Sequence, residues 1–139
     1  MIILDTNVLS AIMRPKPEKS VAAWLDKQSP ISIWTTSITL LELRFGLEIL
    51  PSGRKRSQLM QALEDVLAEE IGGRVAAFDA VAAQHAADLM ASRYRRGRPT
   101  ELRDTMIAGI ALAHHATLAT RNTPHFQDLA LPVINPWLA

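Results

Sequence analysis

Short apolar runs alternate with longer amphipathic stretches along the whole chain. Ile2 to Leu4 reads as a buried strand, since consecutive apolar residues leave neither face for water. Asn7 to Met13 predicts a helix that Pro15 and Pro17 interrupt. Glu18 to Gln28 predicts a second, with Val21, Trp24 and Leu25 on one face, and Ile31-Ser32-Ile33-Trp34 predicts a strand. Ser37 to Leu50 predicts a long helix with Ile38, Leu41, Phe45 and Ile49 on one stripe, broken by Pro51-Ser52-Gly53. Arg54 to Glu70 is amphipathic through Leu59, Leu63, Val66 and Leu67, and Gly72-Gly73 ends it. Val75 to Phe78 is a short strand, and Asp79 is placed to cap a helix running to about Tyr94. A basic loop follows from Arg95 to Thr100, with Gly97 and Pro99 inside it. Asp104 to His115 predicts another helix, Thr117 to Ala119 a strand, and Pro132 to Ile134 a last short strand before Asn135-Pro136-Trp137.

Strands separated by helices imply parallel pairing through right-handed crossovers. The expected fold is a single α/β domain over residues 1–139: a three-layer α/β/α sandwich with a parallel sheet of about five short strands. A hydrophobic fraction of 48% with 21% charged residues suits a soluble globular chain and argues against disorder. The absence of cysteine excludes a disulfide scaffold, a zinc-thiolate site and a thiol nucleophile. No apolar run approaches the roughly 20 residues of a membrane span. The first strand starts at the first residues, with no room for a signal peptide, so a cytoplasmic setting is expected.

In open parallel sheets, ligands bind at the carboxyl ends of the strands. Asp5 directly follows the first strand, and Asn122 lies just past the fourth, in Thr120-Arg121-Asn122. If those strands are adjacent, both side chains face one crevice. Glu42 lies on the first turns of the helix after the second strand, and Asp104 opens the helix before the fourth. Each has an ordinary reading as well. Asp5 can cap the first helix, Thr39 and Glu42 match a capping box, Asp104 suits a helix dipole, and Asn is a common turn residue. Together they point further. Three carboxylates in one crevice repel one another unless a cation lies between them. Hard oxygen ligands select magnesium or manganese, which favours phosphodiester hydrolysis without a Cys, Ser or His nucleophile. No Gly-rich phosphate-binding motif is present.

The net charge is only +1, so affinity for nucleic acid must come from a local patch. Arg93, Arg95, Arg96, Arg98 and Arg103 fall between residues 91 and 103 against one acid, Glu101. Immediately before Asp104, such a run can hold a phosphate backbone, with Arg121 beside Asn122 doing the same. The alternative is a solvated helix end. His85 reads as helix packing, and His114 and His115 as residues suited to a helix C-terminus. His125 is near enough to Asn122 to reach the same crevice. Trp24, Trp34 and Trp137 read as core or interface residues.

Four segments resemble the motifs of PIN-domain proteins, in order and in spacing. They are Ile3-Leu4-Asp5-Thr6-Asn7-Val8-Leu9-Ser10, Thr39-Leu40-Leu41-Glu42-Leu43-Arg44-Phe45-Gly46 and Arg103-Asp104-Thr105-Met106-Ile107-Ala108, then Thr120 to Phe126 with Val133 to Trp137. The resemblance is strongest to the VapC-type ribonuclease toxins of type II toxin–antitoxin pairs, including the FitB-like group. It implies a Rossmann-like fold and a Mg2+- or Mn2+-dependent endoribonuclease whose metal acids are Asp5, Glu42 and Asp104. Glu42 would either ligate or orient the attacking water. Asn122 would take a fourth, more variable place, with Thr6 and Thr120 as supporting polar residues. Many relatives carry Asp where His125 stands here, so the resemblance implies one well-held metal rather than two. It also implies a homodimer and a small antitoxin partner with a DNA-binding domain. Two other readings remain open: a non-catalytic binding module with the same fold, and an aspartate-nucleophile phosphatase. Against the second, Asn7 stands where that chemistry normally wants an acid.

Overall fold

In the computed structural model, which describes residues 1–98 and 101–139, the first strand becomes the middle of the sheet. Pro99 and Thr100, part of the expected basic loop, lie outside the described residues. β1 (Ile2–Leu4) pairs with β2 (Ile33–Thr36) on one side and with β4 (Thr117–Ala119) on the other. β3 (Val75–Ala76) extends the sheet beyond β2, and β5 (Val133–Ile134) beyond β4. All four pairings are parallel, and the spatial order is β3-β2-β1-β4-β5. The chain therefore winds outward from β1 in one direction and returns to start again from β4. That reversal opens a crevice at the carboxyl ends of β1 and β4.

Successive side chains on a strand face opposite layers, and here both layers are apolar. Leu4 and Ala119 join one buried cluster with Val8, Leu9, Trp24, Leu43 and Leu63. Ile3 and Leu118 join the other with Leu89, Ile107, Ile110 and Phe126. The first cluster is covered by α1 (Thr6–Met13), α2 (Lys19–Asp26), α3 (Ser37–Glu48) and α4 (Arg54–Val66). The second is covered by α5 (Ala80–Arg95) and α6 (Leu102–Ala113). These two helices pack closely because residue 109 is glycine. A Cβ there would stand 2.5 Å from the Ala82 carbonyl oxygen and 2.8 Å from Ala86 Cβ. Gly97, at φ 66°, ends α5 in a left-handed cap: its N–H donates to the Tyr94 carbonyl and that of Arg98 to the Arg93 carbonyl. Among the described residues no helix is long and apolar enough to cross a membrane.

Several boundaries differ from expectation. The second strand begins two residues late, because Pro30–Ser32 forms a short 3-10 turn that leaves Ile31 exposed. Thr35 and Thr36 are buried instead; the Thr35 hydroxyl donates to the Leu4 carbonyl at 3.0 Å, and Thr36 caps α3. The helix from Arg54 widens into a π turn over Leu67–Ile71 before Gly72 stops it at φ 57°. On α3 the expected apolar stripe is the wrong one beyond Ile38. Leu41, Phe45 and Ile49 are exposed, Phe45 at 57%, while Thr39, Leu43 and Leu47 face the core. Both stripes have helical spacing, so periodicity alone could not choose between them.

Candidate active site

Asp5 sits at the central crevice because β1 ends there. Its backbone N–H continues the ladder to the Ala119 carbonyl at 2.9 Å, and its carbonyl accepts the first bonds of α1. The side chain is also the N-cap of that helix, so the ordinary reading is true as well. Oδ1 accepts from the Thr6 N–H at 2.8 Å; Oδ2 accepts from the Thr120 hydroxyl at 2.7 Å and from Asn7 Nδ2 at 3.3 Å. Burial holds the Asp5 carboxyl above its ordinary range, although the bonds from Thr120 and Thr6 pull the other way. The negative charges of Asp104 and Glu42 push it up further, so the three acids share one field.

Glu42 comes from α3, one turn past the cap made by Thr36, whose hydroxyl oxygen accepts from the Thr39 N–H at 3.0 Å. Thr39 therefore lies inside the helix, which removes the capping-box reading of Thr39 and Glu42. Glu42 Oε1 accepts from the Thr6 hydroxyl at 2.8 Å, and Arg103 stands 3.9 Å from Oε2. Asp104 lies in the first turn of α6. The cap of that helix is Glu101, whose Oε2 accepts from the Asp104 N–H at 2.7 Å, leaving the Asp104 side chain for other work. Its Oδ2 lies 2.8 Å from His125 Nδ1.

The donor set is hard oxygen, at least partly shielded, and self-repelling, which is the chemistry a divalent ion neutralises. Among the described residues no three of His, Cys, Asp and Glu converge on one ion position as the side chains lie.

Two expected roles shift. The Asn122 side chain is exposed and makes no hydrogen bond among the described residues; its backbone N–H donates to the Thr120 hydroxyl oxygen at 3.0 Å. Asn7 occupies the polar position instead: Nδ2 reaches Asp5, and Oδ1 accepts from the Arg121 N–H at 3.0 Å. Only its place two residues after Asp5 signalled it. The basic run is corrected at Arg93, which is 4% exposed. Its guanidinium donates to both Asp128 oxygens at 2.9 Å, to the His125 carbonyl at 2.8 Å and to the Thr105 hydroxyl at 3.3 Å, so four of its five N–H groups are engaged and the side chain is buried away from RNA. Arg96 and Arg98 also approach Asp128, at 2.9 and 3.4 Å. The Arg93 hydrogen bonds hold the Asp128 carboxyl far below its ordinary range. Asp128 lies 25 residues beyond the end of the run, outside any local charge count. Arg95, Arg103 and Arg121 remain exposed, with Arg121 also stacked on Trp137 at 4.9 Å.

A family model for the PIN domain matches residues 2–130. The chain belongs to the PIN-domain family. It is 40% identical to the VapC ribonuclease Y4jK of Sinorhizobium fredii, over 99% of this chain and 98% of that protein. It is 36% identical to the toxin FitB of Neisseria gonorrhoeae, over 99% of each. A solved structure of FitAB bound to a DNA fragment superposes with a TM-score of 0.88 at 35% identity, covering 99% of this chain and 96% of that one. In this PIN domain Asp5, Glu42 and Asp104, three of the four residues expected at the site, come close together, while the Asn122 side chain is exposed.

Proposed function

We propose that this PIN domain is a metal-dependent endoribonuclease, the toxin of a toxin–antitoxin pair. One observation carries the reading: Asp5 is buried at the switch point of the sheet, with Glu42 and Asp104 close enough to raise its pKa. The kinship to a VapC ribonuclease and to the FitB toxin supports RNA as the substrate and growth arrest as the outcome. The kinship to FitAB on DNA supports a small partner antitoxin that carries a DNA-binding domain. The toxin itself is expected as a homodimer acting in the cytoplasm.

Asp5, Glu42 and Asp104 would hold Mg2+ or Mn2+. Bound there, the ion supplies positive charge against the phosphate oxygens and acidifies water. Thr6 and Thr120 orient Glu42 and Asp5 by hydrogen bonds made before any ligand arrives. Arg95, Arg103 and Arg121 are exposed and would engage the phosphate backbone. Water adds to phosphorus and the P–O3′ bond breaks, leaving 3′-hydroxyl and 5′-phosphate ends.

The test is Asp104→Asn and Asp5→Asn. Both should lose RNA cleavage and growth arrest, and calorimetry should show sharply weaker Mn2+ binding. Thermal unfolding in EDTA should be unchanged or raised for Asp104→Asn, because one of three like charges is gone. A stable Asn variant that still cleaves RNA would remove that acid from the site and overturn the reading, and a folded wild type that binds RNA without cleaving it would favour a binding module. A trapped aspartyl-phosphate would favour the phosphatase.

A further inference from the structure

We propose that His125 is a positioning residue for Asp104: its Nδ1–H holds one oxygen of that carboxylate and so fixes the orientation of the acid. The inference rests on the proposed function only for what Asp104 then does. An ionised carboxylate can only accept, so the ring nitrogen 2.8 Å from Asp104 Oδ2 carries the hydrogen. The side chain is 56% exposed. An exposed pair of this kind normally contributes little, because both side chains must be ordered to make it.

Here the ordering is done by the surroundings. The His125 N–H donates to the Asn122 carbonyl at 3.0 Å within the short turn Thr123–Phe126. The next residue, Phe126, is fully buried and anchors the turn in the core. The His125 carbonyl accepts from Arg93 Nη2 at 2.8 Å. The same guanidinium donates to the hydroxyl of Thr105, the neighbour of Asp104. One buried arginine thus holds the backbone beneath the imidazole and the helix turn beneath the carboxylate. Asp128 holds that arginine through two bonds at 2.9 Å. Arg93, expected to touch RNA, instead fixes the platform on which the His125–Asp104 contact is built.

Side-chain replacement separates the two ring nitrogens. Asparagine places its Nδ2 donor where histidine has Nδ1, and glutamine places its Nε2 where histidine has Nε2. His125→Ala and His125→Gln should weaken Mn2+ binding, read by calorimetry, about tenfold, the scale of losing an outer partner of a metal ligand. The same variants should lower kcat about tenfold and leave KM for RNA within about twofold, since only the orientation of the acid has changed. His125→Asn should restore most of both. In the metal-free protein, imidazole 15N spectra should show Nδ1 protonated, and Asp104→Ala should remove that signature. Equal Mn2+ affinity and kcat across the series would overturn the proposal. Rescue by Gln in place of Asn would also overturn it, as Nε2 would then be the working atom. A rise in KM alone would make His125 an RNA contact instead. If the wild type cleaves no RNA the endoribonuclease reading fails, while the spectra and the Mn2+ series still decide the role of His125.

Discussion

Two charged clusters meet at the first turn of α6, at Asp104 and Thr105. The acid cluster of Asp5, Glu42 and Asp104 gathers like charges; hydroxyls, an amide and one histidine are its hydrogen-bond partners, and one exposed arginine, Arg103, stands 3.9 Å from Glu42. The cluster next to it is the opposite: Arg93, Arg96 and Arg98 all turn to Asp128, which is 7% exposed. Opposite charges that satisfy one another hold a fold together and have little left to offer a ligand. Like charges held side by side weaken the free fold and are the ones that bind. Charge density along the sequence does not separate the two cases; the side chains that saturate each group do.

The largest effect that would sharpen this contrast is at Asp128. Asp128→Ala strands a buried guanidinium and should cost about 3–5 kcal/mol, read by denaturant unfolding. Because the folded Asp128 pKa is depressed, its contribution is complete above the ordinary value of 3.8 and fades as pH falls below it. The wild type should therefore lose stability steeply below about pH 4, and Asp128→Ala should show a shallower loss. Equal acid sensitivity in the two proteins would break the comparison.

Next comes RNA binding, measured on cleavage-deficient protein. Arg95→Ala and Arg121→Ala should each lower the salt slope of binding by about one. Arg96→Ala should lower it by less, because Asp128 already engages that side chain. Equal effects at Arg95 and Arg96 would mean that saturation does not decide which arginines meet RNA. The smallest effect is expected at Thr6→Val, which frees Glu42. Stability should change by about 1 kcal/mol or less, while cleavage falls, since the hydroxyl orients an acid more than it supports the fold.

Much of the fold was legible because buried parallel strands must be apolar on both faces. Ile2 to Leu4 and Thr117 to Ala119 lie where the pattern puts them. The resemblance to the PIN-domain motifs grouped Asp5, Glu42 and Asp104, although local sequence left the approach of Asp104 open, and Pro51-Ser52-Gly53 and Gly72-Gly73 marked helix ends through their backbone chemistry. Those signals are local: a few neighbouring residues determine them. Three things were not local. Leu41-Phe45-Ile49 and Thr39-Leu43-Leu47 are both plausible faces for α3, and only packing against α1 and α4 chose the second. Arg93 looked like its basic neighbours until the fold brought Asp128, 35 residues away, against it. His125 looked like a departure from an acidic pattern until its ring was found on Asp104, with Arg93 beneath it. In each case what mattered was which distant group satisfies a side chain, and that is decided only when the chain closes on itself.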